Sequence, residues 1–199
     1  MTGAPKIVND PVGFNGQPLA RYRDYLLVLT RLHLGTQLQA KCDASDIVQE
    51  TILFAHDRRS QFRGGSEAEW LGWLRAILVN TIAAVAREFK TAARDLTREQ
   101  SLQGELDHSS ARLERLLAAD QSSPSEAVSR SEELLRLASA LCQLPEDQRR
   151  VVELHHLKGL PMVEIATELD RTRPAVVGLL FRGLKKLREL LIEPPEETA

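Results

Sequence analysis

The chain has 199 residues, enough for one domain or two small ones, and is 43% apolar but only 5% aromatic. Its net charge is −2 and its pI is near 6.2. That excludes a protein that coats nucleic acid without specificity, because such binding rests on neutralised phosphates.

Strand-like alternation is absent, so the expected class is all-α: two small helical domains joined by a polar linker. Residues 1–17 lack the basic start and apolar run of a leader and read as flexible. Residues 18–34 form a first helix with Leu19, Tyr22, Leu26, Leu29 and Leu32 along one side. A second helix, 43–60, opens on the polar run DASD and turns Ile47, Val48, Thr51, Ile52 and Ala55 inward. Asp46, Gln49, Glu50 and Leu53 then fall at i, i+3, i+4 and i+7, one outward ridge. Two carboxylates and an amide suit a basic partner, and they equally suit an ordinary solvated face.

The loop 61–65 is rich in glycine and carries Phe62 and Arg63. Ser66 and Glu69 form a capping box that opens a third helix, 66–90, with Leu74, Ile77, Leu78 and Ile82 in its core. Trp70 and Trp73 stand at i, i+3, and Arg75, Asn80 and Arg87 punctuate the helix. Aromatics and arginines beside a flexible loop suit unstacked bases. The alternative is that the tryptophans anchor the core, with Trp73 the better core candidate and Trp70 fitting either role.

Residues 91–122 are polar and read as a linker, helical only over a stretch such as 111–119. A helix restarts with Ser123 as N-cap, Pro124 at N1 and Glu126 at N3, and runs to about Cys142. Another follows over 145–157, with Glu146 and Asp147 at its positive end and Gly159 as C-cap. Met162, Ile165, Ala166 and Leu169 make one stripe of a short helix. Asp170, Arg171 and Thr172 form a turn, Thr172 caps the next helix, and Pro174 lies in its first turn. Val176, Val177, Leu180, Leu184 and Leu187 are its expected buried face. Six cations and no acid fall between 171 and 188: Arg171, Arg173, Arg182, Lys185, Lys186 and Arg188. That is the layout of a helix-turn-helix with a positive recognition side, which points to DNA. A helical bundle with a solvated basic face is the plainer alternative.

Cys42 and Cys142 sit in no chelating pattern and read as reduced structural thiols. His155 and His156 are adjacent and cannot share a face, so no metal site or cofactor is expected. Neither GxSxG, a Walker loop nor HExxH occurs, so no enzymatic activity is expected. No apolar run approaches a membrane span, and the expected location is cytoplasmic, without membrane insertion.

Three motifs occur in order: DIVQET at 46–51; FRGG at 62–65 followed by WLRAILVN at 73–80; and LPEDQRRVVEL at 144–154 ahead of the helix-turn-helix. With them the chain resembles the small sigma factors of bacterial RNA polymerase, the extracytoplasmic-function group of the sigma-70 family, over about 19–191 apart from the middle. The run from Arg171 to Leu191 further resembles a subgroup common in planctomycete-type bacteria. The resemblance implies region 2 over 18–90, a linker over 91–122, region 4 over 123–193 and a tail over 194–199. It implies that Asp46, Gln49 and Glu50 contact the clamp coiled coil of core RNA polymerase, and that region 4 touches the flap. Phe62 and Arg63 would lie at the loop that captures a flipped −10 base, with Trp70, Arg75, Asn80 and Arg87 on the −10 side. Arg171, Thr172, Arg173, Arg182, Lys185 and Lys186 would contact −35 bases or phosphates of promoter DNA. An anti-sigma factor is a further candidate partner, and packing of region 2 on region 4 would hide both DNA surfaces.

The family usually has glycine where Asp170 stands, and Asp tolerates left-handed backbone better than most residues. It also usually has Lys and Arg near Val177 and Leu179. Base contacts are therefore expected from Arg171, Arg173 or Arg182, or the −35 readout is weak. Gly178 costs about 1 kcal/mol relative to Ala or lets the backbone approach DNA. The stretch 62–73 is also longer than usual for the family, which blurs the −10 loop assignment. The competing functions are a stand-alone dimeric helix-turn-helix regulator and a sigma-like adaptor that binds polymerase or an anti-sigma factor and not DNA.

Overall fold

The computed structural model describes residues 12–34, 41–89, 96–118 and 127–192. Among them there is no strand, only one isolated bridge between Val12 and Pro18. Eight α-helices follow in chain order: α1 (Arg23–His33), α2 (Ala44–Asp57), α3 (Glu67–Phe89), α4 (Leu96–Ala118), α5 (Ala127–Cys142), α6 (Glu146–Val152), α7 (Met162–Glu168) and α8 (Arg173–Ile192). A 3-10 turn, Leu19–Tyr22, leads into α1, and a π-turn, Glu153–Lys158, extends α6.

Helix starts follow the local chemistry. The Asp43 side chain accepts from the Ser45 N–H at 2.8 Å and caps α2. At α3 the capping box is complete: Glu69 N–H donates to Ser66 Oγ at 3.3 Å, and Ser66 N–H donates to Glu69 Oε2 at 3.0 Å. The Gly159 C-cap is left-handed, at φ +79°. The proposed caps Ser123, Pro124 and Glu126 lie outside the described residues.

Helix α1 is apolar nearly all round, with Tyr25, Leu26, Leu27, Val28, Leu29 and Leu32 all buried. A helix of that composition belongs at a centre, and it packs against α2, α3, α4, α5 and the π-turn. One core therefore runs continuously from Leu19 to Leu187 and joins the N-terminal and C-terminal blocks. A satellite core of Val151, Leu154, Ile165 and Val176 holds the helix-turn-helix together.

Three expectations need correction. The polar stretch read as a linker is, over 96–118, the helix α4, which buries Leu106 and Leu113 completely. Its polar look is deceptive because Ser109 and Ser110, both buried, have partners across the core. Within the stretch read as flexible, residues 12–17 form a turn whose Phe14 packs on Phe62 and Trp70. Finally, the run Glu67–Glu88 within α3 is long and apolar enough to cross a membrane, with mean hydropathy 1.2. Its Trp70, Leu71, Leu74, Ile77, Leu78 and Ile82 are buried in the core, which accounts for that apolarity within the fold.

Candidate nucleic-acid interface

The helix-turn-helix is built by α7 and α8. Asp170 has φ +49°. Around it the Arg171 N–H donates to the Ala166 carbonyl at 2.9 Å and the Asp170 N–H to that of Thr167 at 3.3 Å. These are the two bonds of a Schellman motif, with Asp170 in the place usually taken by glycine. Thr172 Oγ1 accepts from the Ala175 N–H at 3.4 Å, which caps α8. Gly183 sets the distance between α6 and α8, since a Cβ there would lie 2.9 Å from Val152 Cγ2. Arg171, Thr172, Arg173, Arg182, Lys185 and Lys186 are all exposed. Arg171 reaches Asp147 at 3.4 Å and Lys186 reaches Glu189 at 3.6 Å, surface pairs that solvent screens. Val177, expected in the buried face, is instead 48% exposed.

The ridge on α2 is exposed at Asp46, Gln49, Glu50 and Leu53. Asp46 also lines a groove of about 1190 Å³ whose far wall comes from the C-terminal block, through Glu146, Arg149, Arg150 and Glu168.

The loop before α3 is held, not loose. Glu69 Oε2 accepts from the Gly65 N–H at 2.8 Å as well as from Ser66. Those hydrogen bonds, Gly65 first, hold the Glu69 carboxyl below its ordinary range. Phe62 folds over Gly64, where a Cβ would lie 2.5 Å from its ring. It meets Trp70 edge-on at 4.9 Å between centroids and Trp73 at 5.7 Å. Beside it opens a groove of about 590 Å³ lined by Phe14, Asn15, His56, Ser60, Phe62 and Trp70. The Trp70 N–H is buried without a hydrogen-bond partner among the described residues. Arg63 and Asn80 are exposed, and so is Arg87, whose Nε donates to the Ala83 carbonyl at 3.2 Å.

A polar network joins α1, α3 and α4. Arg75 Nε donates to Asp107 Oδ1 at 2.7 Å, and its Nη1 donates to Tyr25 Oη at 2.8 Å. Tyr25 Oη in turn bonds Ser110 Oγ at 2.9 Å. Burial raises the Tyr25 phenol, which therefore stays neutral.

A family model for sigma-70, region 4, matches residues 134–187. The RNA polymerase sigma-H factor of Pseudomonas aeruginosa is 30% identical over 151 residues, which cover 75% of this chain and 73% of that one. The ECF RNA polymerase sigma-E factor of Salmonella typhimurium is 32% identical over 144 residues, 71% of this chain and 70% of that one. The chain belongs to the extracytoplasmic-function group of sigma-70-family sigma factors. The ECF RNA polymerase sigma factor SigL of Mycobacterium tuberculosis is similar over a longer stretch, 29% identical over 174 residues and 87% of this chain.

In this sigma factor the expected site residues fall into three sets. Asp46, Gln49 and Glu50, and the six residues of the turn and α8, stand at the surface in one group each. The −10 set is divided. Trp70 is 1% exposed and is a core residue, while Trp73 is only half-buried, the reverse of the order expected from sequence. Arg75 points inward, its guanidinium held by Asp107 and Tyr25. The sigma factor also adds groups that sequence reasoning passed over. Phe14 and Asn15 complete the groove at Phe62, and their only signal was an FNG turn in a segment taken as flexible. Packing of the two blocks, expected to hide both DNA surfaces, leaves the outer face of α8 open.

Proposed function

We propose that this sigma factor docks on the clamp coiled coil of core RNA polymerase through Asp46, Gln49 and Glu50, opens the −10 element with residues 61–87, and reads the −35 element with α8. Region 2 is assigned to 18–90 and region 4 to 123–193, joined by 91–122. Nucleotidyl transfer belongs to the polymerase, and this chain supplies promoter specificity in the bacterial cytoplasm. An unstacked −10 base would seat in the groove beside Phe14 and Phe62, where Asn15 and Ser60 offer polar groups and the rings offer stacking surface. Arg63, Asn80 and Arg87 would hold the backbone of the separated strand. The packed arrangement is then the state before docking, because Arg75 is withdrawn from DNA by α4. An anti-sigma factor would act by keeping the two blocks together.

The observation that carries this reading is one chain bearing both an exposed acidic ridge on α2 and an exposed cationic turn and recognition helix. A stand-alone repressor has no use for the ridge, and a pure adaptor has none for the cations. The ridge is tested with Asp46→Lys and Glu50→Lys together. Both side chains are exposed, so the melting temperature should stay within a degree or two of the parent. Affinity for core polymerase should fall at least tenfold, because two attractive contacts become repulsive. Unchanged affinity would remove the ridge from the interface.

A further inference from the structure

The outer face of α8 is not the face that its cations suggest. Val176, Gly183 and Leu187 are buried and mark the side that packs on α6 and α5. At 100° per residue, Pro174, Gly178 and Phe181 then turn away from that side, and Val177 lies at its edge. Phe181 is 71% exposed and Val177 48%. None of these four is polar, and they occupy the first turns of the helix, the part that enters a major groove. Arg173 precedes them, and Arg182 and Lys185 follow. Arg182 lies back over Gly178, where a Cβ would be 3.3 Å from its Nη1.

A large exposed aromatic flanked by an exposed valine marks a recognition surface more than a solvent face. Its frame decides the class of partner. No acid occurs between 171 and 188, and Arg173, Arg182 and Lys185 have no ion-pair partner among the described residues. That frame fits a polyanion. In the major groove of a duplex, the apolar group that projects from a base edge is the C5-methyl of thymine. We infer that Val177 and Phe181 read thymine methyls in the upstream promoter element, and that the flanking cations grip the phosphates on either side. Apolar contact by Val177 and Phe181 thus supplies the base discrimination. The inference rests on the assignment of α8 to the −35 element.

The test uses holoenzyme assembled from core polymerase and the full chain, on a promoter recovered by run-off selection from a library. Each −35 thymine is replaced in turn by deoxyuridine, which removes the methyl and leaves base pairing intact. Initiation should fall about threefold to fivefold for each contacted methyl, the worth of one buried methyl group. The effect should appear at one or two positions. Phe181→Ala and Val177→Ala should each lose about the same factor on the thymine promoter and become indifferent to deoxyuridine at one position. Equal initiation on thymine and deoxyuridine templates at every −35 position overturns the inference while leaving the sigma assignment intact. Phe181→Ala that loses polymerase affinity yet keeps its deoxyuridine sensitivity also overturns it, and gives the face to a protein partner. A library that yields no transcript at all is a failure of the sigma assignment itself, and the inference falls with it. Phe181 is exposed, so its variant should melt with the parent, as circular dichroism would verify.

Discussion

Glu153 is the one buried acid among the described residues. It is 4% exposed at the start of the π-turn. Its partner Arg149 is 3.6 Å away, too far for a hydrogen bond, and neither Arg149 Nε nor Glu153 Oε1 finds another partner among the described residues. Burial pushes the Glu153 carboxyl up to about 7, while Arg149, Arg31 and Arg150 pull the other way and do not prevail. A carboxyl raised in the folded state stabilises the fold fully below its ordinary value near 4.5, and that contribution is lost as pH rises through about 7. His33 has the opposite sign. Burial lowers its pKa, so its effect is loss of stability as pH falls below the ordinary imidazole value of 6.5. Comparing Glu153→Gln with the parent isolates the carboxyl. The melting temperature of the variant should match the parent near pH 5 and exceed it progressively toward pH 8. Parallel pH profiles for the two proteins would show that the carboxyl is not buried uncompensated.

Helix α4 shows where local reading stops. Leu102, Leu106, Leu113 and Leu116 share one seam, with buried Ser109 and Ser110 between them. Two serines in the middle of a seam read as solvent-facing, and composition alone made the stretch a linker. What makes them tolerable is distant in sequence: Tyr25 Oη meets Ser110 Oγ, and His33 Nε2 lies 3.0 Å from Ser109 Oγ. The same limit reversed the two tryptophans. Both lie on one side of α3, and the docking of the Phe14 turn and α2, not the spacing, selects Trp70 for the core. By contrast, the capping box at Ser66, the left-handed turn at Asp170 and the Thr172 cap were legible, because each is fixed by residues within five positions, and the α2 ridge was legible from helical spacing. Leu106→Ala and Leu113→Ala should each cost about 2–5 kcal/mol in denaturant unfolding, the range for a buried leucine. A cost under about 0.5 kcal/mol would return 96–118 to the status of a linker.

At the scale of the whole molecule, one core binds the two blocks, yet the surfaces assigned to partners are not equally available. The outer face of α8 is open. On the side proposed for the −10 element, Arg75 is held by Asp107 of α4. The acidic ridge faces outward, but Asp46 shares a groove with α6 and α7. A clamp helix seated on that ridge would press against region 4, so docking and separation of the blocks are one event in this account. Free chain should thus bind promoter duplex weakly, and polymerase should supply the missing step. The direct measurement is run-off transcription from a promoter library with core RNA polymerase, with and without this protein. The expected result is new transcripts that share two upstream motifs at a fixed spacing, one for each region. A chain that adds no transcript and does not bind core polymerase would contradict it.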